Sequence, residues 1–149
     1  MIWLLRHAEA HDGTPDEARE LTPDGEELAR VVGAALKALG VELSACLTSP
    51  KVRAAQTARL ACEPLGVEVR EDTRLEGGPV DPRAVAADQG ADVLLVGHDP
   101  DFSMALHRLT GAQVRMKKGG LVAVDRGELK VLFRPSELRA IAAAGSVRP

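Results

Sequence analysis

The sequence predicts an α/β fold: a three-layer sandwich with a mostly parallel central sheet, helices on both of its faces and a C-terminal antiparallel hairpin. Three observations carry that expectation. Short apolar runs, at residues 2–5 and 92–96 among others, lack polar alternation and suit strands buried on both faces. Between them lie longer segments whose apolar residues recur at helical spacing. The last two apolar runs are separated only by Asp125-Arg126-Gly127, a turn chemistry that joins antiparallel neighbours.

Ile2, Trp3, Leu4 and Leu5 form the first strand, which stops abruptly at Arg6-His7. In an open α/β sheet the carboxyl ends of parallel strands face the crevice where ligands bind. A guanidinium fork and an imidazole are therefore expected at its mouth. Residues 11–20 are polar, include Gly13 and Pro15, and make a loop long enough to suggest function. Thr22 and Pro23 then start a helix as N-cap and first helical residue, with Asp24, Glu26 and Glu27 in its first turn. Leu28, Val31, Val32, Ala35, Leu36 and Leu39 give this helix one apolar face, and Gly40 ends it.

A second strand at 43–47 runs into Thr48-Ser49-Pro50, and a helix over 51–62 follows. Arg53 lies in the first turn of that helix, where a cation opposes the helix dipole. An anion bound between Arg53 and the first-turn amides would reverse the penalty. A brief third strand at 67–69 leads into a Gly/Pro-rich loop holding Glu71, Asp72, Glu76 and Asp81, and Asp81-Pro82 starts a short helix through Ala87. The strand at 92–96 ends at Gly97-His98. Asp99-Pro100 opens a helix with Phe102, Ala105, Leu106 and Leu109 on one face, closed by Gly111. Strands at 121–124 and 128–133 make the hairpin, and Pro135-Ser136 begin a last helix before a frayed tail.

With 149 residues the chain is sized for one domain, and no linker, repeat or low-complexity tract divides it. A net charge of −3, two Phe, one Trp and no Tyr argue against a nucleic-acid partner. No apolar run approaches the length of a membrane span, and the N-terminus lacks signal-peptide features. Cys46 and Cys62 lie in apolar surroundings without a C-x-x-C spacing and read as buried, reduced thiols. A cytoplasmic protein is expected.

Three strand ends thus bring chemistry to one sheet edge: Arg6-His7, Arg53 just beyond the second strand, and His98. Two guanidinium groups and two imidazoles define an oxyanion pocket. The blocks LLRHAEA, RELTPDG, TSPKVRAAQTA and LLVGHDP, in that order and spacing, resemble the histidine phosphatase superfamily with its phosphoglycerate-mutase-like fold. The chain looks most like the small SixA-type phosphohistidine phosphatases. The resemblance implies that His7 is the residue phosphorylated and that Arg6, Arg53 and His98 bind phosphate. It implies a proton donor, usually a Glu in the loop after the third strand, for which Glu76 is the best-placed candidate; Asp16, in the loop before Arg19, is the alternative. Arg19 matches the R-x-L-T block and is expected, like Asp16, at the pocket rim. Ala8 stands where the larger family usually has Gly, a marker of the SixA-type branch.

The expected reaction is phosphoryl transfer to neutral His7 followed by hydrolysis, with Arg6, Arg53 and a protonated His98 spreading the charge of the phosphoryl oxygens. No metal or cofactor is expected, since no carboxylate cluster with Mg²⁺-like spacing and no P-loop is present. A metal site built from His7, Glu9, His11 and His98 is a poor rival, because Arg6 and Arg53 would repel the cation. Glu9 reads as a structural charge, His11 as a loop histidine and His107 as a helix-surface one. Arg115, Lys117 and Lys118 form a basic patch that could attract an acidic partner. The weakly defined donor and the absence of lid insertions favour a phosphorylated protein, displaying phosphohistidine, as partner. The alternatives are a small phosphorylated metabolite, sugar or nucleotide phosphate, hydrolysed as an ester, and a phospho-ligand-binding module without turnover.

Overall fold

The computed structural model describes residues 1–146. It contains β1 (Ile2–Arg6), α1 (Pro23–Ala38), β2 (Ala45–Thr48), α2 (Val52–Cys62), β3 (Val69–Glu71), α3 (Pro82–Ala86), β4 (Val93–Gly97), α4 (Asp101–Thr110), β5 (Leu121–Asp125), β6 (Glu128–Phe133) and α5 (Pro135–Ser146). One six-stranded sheet runs in the order β3-β2-β4-β1-β5-β6. The pairs β2–β3, β2–β4 and β1–β4 are parallel, whereas β1–β5 and β5–β6 are antiparallel. The expected three-layer α/β sandwich is therefore the observed fold; the expected tail after α5 lies outside the described residues.

Strand alternation divides the core. Trp3, Leu5, Cys46, Leu94 and Val96 face one side and pack with Val32 and Leu36 of α1, Ala54 and Ala58 of α2, and Leu138 of α5. Leu4, Leu47, Val93 and Leu95 face the other side, with Val85 of α3 and Phe102 and Leu106 of α4. Burial on both faces is what the uninterrupted apolar runs demand. Burying each large side chain contributes roughly 1.5–3 kcal/mol, so the two faces together hold the sheet edge rigid beneath the site. Cys46 and Cys62 are buried, free thiols.

Several boundaries shift from the sequence expectation, each for a pairing reason. β2 starts at Ala45 because pairing with β4 starts there, opposite Val93; Leu43 is packed on the core from the preceding loop. β3 occupies Val69–Glu71, not 67–69, since its register is set by Cys46 opposite Val69 and Thr48 opposite Glu71. It is an edge strand with an exposed end, so its apolar residues do not mark its limits. α4 begins at Asp101, with the Asp99 carboxylate accepting from the Ser103 amide. α3 stops at Ala86. In the hairpin Arg126 and Gly127 both have positive φ, 50° and 76°, which a tight turn between twisted antiparallel strands requires.

Candidate active site

β4 lies between β1 and β2, so the carboxyl ends of these three strands converge. Arg6 pairs with Gly97, and the His7 amide donates to the Gly97 carbonyl at 3.0 Å, which sets His7 and His98 side by side. Their rings stand 5.3 Å apart, tilted by 58°. The Ser49 amide donates to the Val96 carbonyl, bringing the β2–α2 turn alongside. His7, Arg53 and His98 are each 7 % exposed, burial reserved in most proteins for groups with dedicated partners.

The His7 Nδ1 lies 2.7 Å from the Ala8 carbonyl oxygen. A carbonyl only accepts, so Nδ1 carries the hydrogen and Nε2 keeps its lone pair. Burial, reinforced by the Arg53 and Arg6 charges, lowers the His7 pKa to about 4. The ring is thus neutral near pH 7 and bears a free nucleophilic nitrogen. His98 is held down to about 3, first by burial and then by His7, Arg53 and Lys51. Where sequence reasoning expects a histidinium, the free protein has a neutral imidazole; protonation there needs the compensating charge of a bound anion. The His98 Nε2 lies 2.8 Å from Ser49 Oγ, which accepts from the Lys51 amide at 3.2 Å and so orients the ring.

Both arginines are anchored on a backbone carbonyl through Nη1. Arg6 Nη1 donates to the Met116 carbonyl at 2.7 Å, and Arg53 Nη1 to the Asp16 carbonyl at 2.8 Å. The Nε of each is buried without a partner. An orphaned buried donor costs roughly 1–3 kcal/mol, and two of them beside paired imidazoles describe a site shaped for an anion. The residues 116–120 close one side: the Gly119 amide donates to the Arg6 and His7 carbonyls, and Arg6 N–H to Gly120. Lys118 lowers the His7 pKa from that side. Part of the basic patch expected at Arg115, Lys117 and Lys118 therefore borders the pocket.

The rim residues separate on inspection. The Asp16 carboxylate accepts from Arg19 Nη1 at 3.0 Å and Arg53 Nη2 at 3.1 Å, and Lys51 Nζ lies 3.6 Å away. Those hydrogen bonds, from Arg19 and then Arg53, hold its carboxyl down to about 2. In the free protein Asp16 is thus an anion paired with Arg19 and Arg53. Arg19 Nε also donates to the His11 carbonyl, so Arg19 braces the polar loop. Glu76 follows the 3-10 turn Thr73–Leu75 with an exposed side chain. The adjoining Gly78 amide bonds to Asp101, and a Cβ on Gly77 would lie 3.8 Å from Lys51 Nζ, so this turn adjoins the pocket's Lys51 side. Glu9 is structural: its carbonyl accepts from the Thr22 amide, its carboxylate from Thr22 Oγ1. A Cβ on Gly25 would overlap that carbonyl, which explains Gly in the T-P-D-G block. His107 bonds the Ala112 carbonyl away from these residues.

Sequence reasoning missed three residues. Ser49 orients His98. Thr57 Oγ1 accepts from the Ala8 amide and donates to the Arg53 carbonyl, tying the segment that follows β1 to α2. Lys51, at the expected start of its helix, places its ammonium 3.6 Å from the Asp16 carboxylate. The A-x-Q-T-A block was the available signal, since Gln56 Oε1 likewise accepts from the Leu21 amide.

The two lowered imidazoles make stability pH-dependent. Between pH 6.5 and about 4 the unfolded chain binds protons that folded His7 and His98 refuse, so stability falls with acid across that window. Urea midpoints of His7→Gln should fall less steeply from pH 6.5 to 4.5 than those of the wild type. Parallel slopes would mean that His7 is not held neutral by the fold.

The histidine phosphatase superfamily (branch 1) profile matches residues 2–77. An uncharacterized protein of Picosynechococcus sp. is 30 % identical over 149 residues, covering 87 % of each chain. The mouse mitochondrial serine/threonine-protein phosphatase PGAM5 is 37 % identical over 84 residues, 54 % of this chain but only 29 % of that longer protein. In shape, the protein histidine phosphatase SixA complexed with tungstate superposes with a TM-score of 0.79 at 24 % identity, over 92 % of this chain and 98 % of that one. The profile spans both the Arg6-His7 strand end and the Arg53 helix, the two elements that build the anion pocket, and on that match the chain belongs to the histidine phosphatase superfamily.

Proposed function

We propose that the chain is a single-domain phosphatase that hydrolyses phosphohistidine on a protein by way of a phosphohistidine on its own His7. The observation that carries the reading is the tautomer: Nδ1–H is tied to the Ala8 carbonyl, so Nε2 is a lone pair at the mouth of a doubly cationic pocket. In the first step the bond from Nε2 to phosphorus forms as the bond to the substrate nitrogen breaks, and the departing imidazole takes its proton from water. In the second, water attacks the same phosphorus, the bond to Nε2 breaks, and inorganic phosphate leaves. Arg6, Arg53 and His98 stabilise the three equatorial oxygens in both steps. His98 is neutral when free, and the charge of a bound dianion would offset the burial and the Arg53 and Lys51 repulsion that keep it so.

The leaving group favours nitrogen over oxygen. An imidazole departs with a conjugate acid pKa of about 6.5 and needs little help, whereas an alkoxide needs a donor badly. Glu76, the candidate donor, is exposed on a glycine-flanked turn. The near-complete mutual coverage with SixA supports a pocket without added lid segments, open to a protein surface. Glu76→Gln should therefore slow hydrolysis of an aryl or alkyl phosphate by roughly 10²–10⁴. It should slow cleavage of a phosphohistidine protein far less. Equal losses on both substrates, with kcat/KM favouring a sugar phosphate, would replace this reading with a small-molecule phosphomonoesterase.

A further inference from the structure

Lys51 is oddly placed for a residue with no chemical task. It is the N-cap of α2 but makes no side-chain cap bond, and its charge opposes the helix dipole. Arg53, two residues on, has the same conflict, and no acidic residue occupies the first turn to relieve it. Only 28 % of the Lys51 side chain is exposed. Its ammonium lies 3.6 Å from Asp16 Oδ2, the same oxygen that accepts from Arg53 Nη2 at 3.1 Å. The field of Lys51 also reaches His98, whose pKa it lowers, and Asp101 on the far side of the Gly77-Gly78 turn. One carboxylate oxygen thus sits between two cations, beside a guanidinium whose Nε has no partner.

We propose that Lys51 is a further anion-binding residue: its ammonium and the Arg53 guanidinium together take an oxygen of the bound phosphoryl group, in the place that Asp16 Oδ2 fills in the free protein. This rests on the phosphoryl-pocket reading above and adds a residue and an internal competitor to it. Asp16 keeps the two cations from repelling one another until substrate arrives. A phosphoryl oxygen replaces it with a shorter reach to both, because the phosphoryl group carries more charge and more acceptor oxygens than a carboxylate. Released from Arg53 and Lys51, Asp16 stays on Arg19, whose Nη1 holds its other oxygen.

Tungstate is the probe, its dissociation constant measured calorimetrically at fixed ionic strength on the intact chain. Lys51→Met should weaken binding by about 10-fold, the value of one charge-assisted contact. Lys51→Arg should recover most of it. Because the Lys51 amide, not its side chain, holds Ser49 Oγ, neither change should disturb the fold; thermal melting checks this, and loss of the unfavourable helix-end charge should leave the melting temperature unchanged or higher. Asp16→Asn should tighten tungstate several-fold, whereas a residue that merely positions Arg53 would loosen it. In turnover, Lys51→Met should raise KM more than it lowers kcat. Wild-type binding in Lys51→Met, or weaker binding in Asp16→Asn, would overturn the assignment. Failure of the wild-type chain to bind tungstate would instead overturn the phosphoryl pocket itself.

Discussion

His7→Ala is expected to lose turnover by roughly 10⁴-fold or more, the usual cost of deleting a covalent nucleophile. The expectation follows from three facts about one ring. Its Nδ1–H is fixed on the Ala8 carbonyl, its pKa is lowered to about 4, and its backbone amide is pinned to Gly97. An imidazole so held is oriented, deprotonated at Nε2 and unable to drift. Rapid quench with labelled substrate should trap a phosphoenzyme in the wild type that is labile in acid and stable in base. His7→Ala should form none. The acid limb of kcat/KM, which reports the free enzyme's essential base, should fall near pH 4, not 6.5, because protonation there removes the lone pair. A labelled adduct that persists in His7→Ala would move the nucleophile elsewhere, and a limb near 6.5 would mean the ring is not shielded from water.

The fold and the four central residues were legible because each is written locally. Ile2-Trp3-Leu4-Leu5 is uninterrupted because both faces of β1 are covered, and the run ends at Arg6-His7 because the strand ends there. Arg53 was conspicuous because it breaks the charge rule of its own helix. What was not legible depends on distant partners. Nothing near Arg6 announces that its guanidinium is anchored on Met116, 110 residues away, or that 116–120 wall the pocket. The insertion of β4 between β1 and β2 is likewise a long-range outcome, and it is what places Ser49 against His98. Asp16 looked like a candidate acid because its loop position is near the site. Its role depends on Arg19, Lys51 and Arg53 surrounding it, and the hydrogen bonds from Arg19 and Arg53 hold its carboxyl well below the usual carboxylate range. The charge of His98 is illegible for a related reason: burial and the neighbouring cations hold its pKa to about 3 in the free protein, so a histidinium there depends on a bound anion.

Arg53→Lys should cost roughly 10²–10³ in kcat, about what removal of one oxyanion donor costs, although net charge is unchanged. The guanidinium does two jobs that an ammonium cannot share out. Nη1 holds the Asp16 carbonyl at 2.8 Å, while Nη2, on the Asp16 carboxylate at 3.1 Å in the free protein, and the unpartnered Nε serve the substrate. A lysine offers one point charge on a shorter, rotating stem, so it either follows Asp16 or follows the phosphoryl oxygen. The planar fork's loss should therefore be felt most where charge is greatest, in the transition state, with kcat falling more than KM rises. Both phosphohistidine and phosphate-ester turnover should suffer alike, since the transferred group is common to them, in contrast to Glu76→Gln. Fold integrity is checked independently, because Thr57 Oγ1 bonds the backbone carbonyl at position 53 and that contact survives the substitution. Near wild-type kcat in a folded Arg53→Lys protein would return Arg53 to a loop-bracing role through Asp16 and leave Arg6 as the arginine of the phosphoryl pocket.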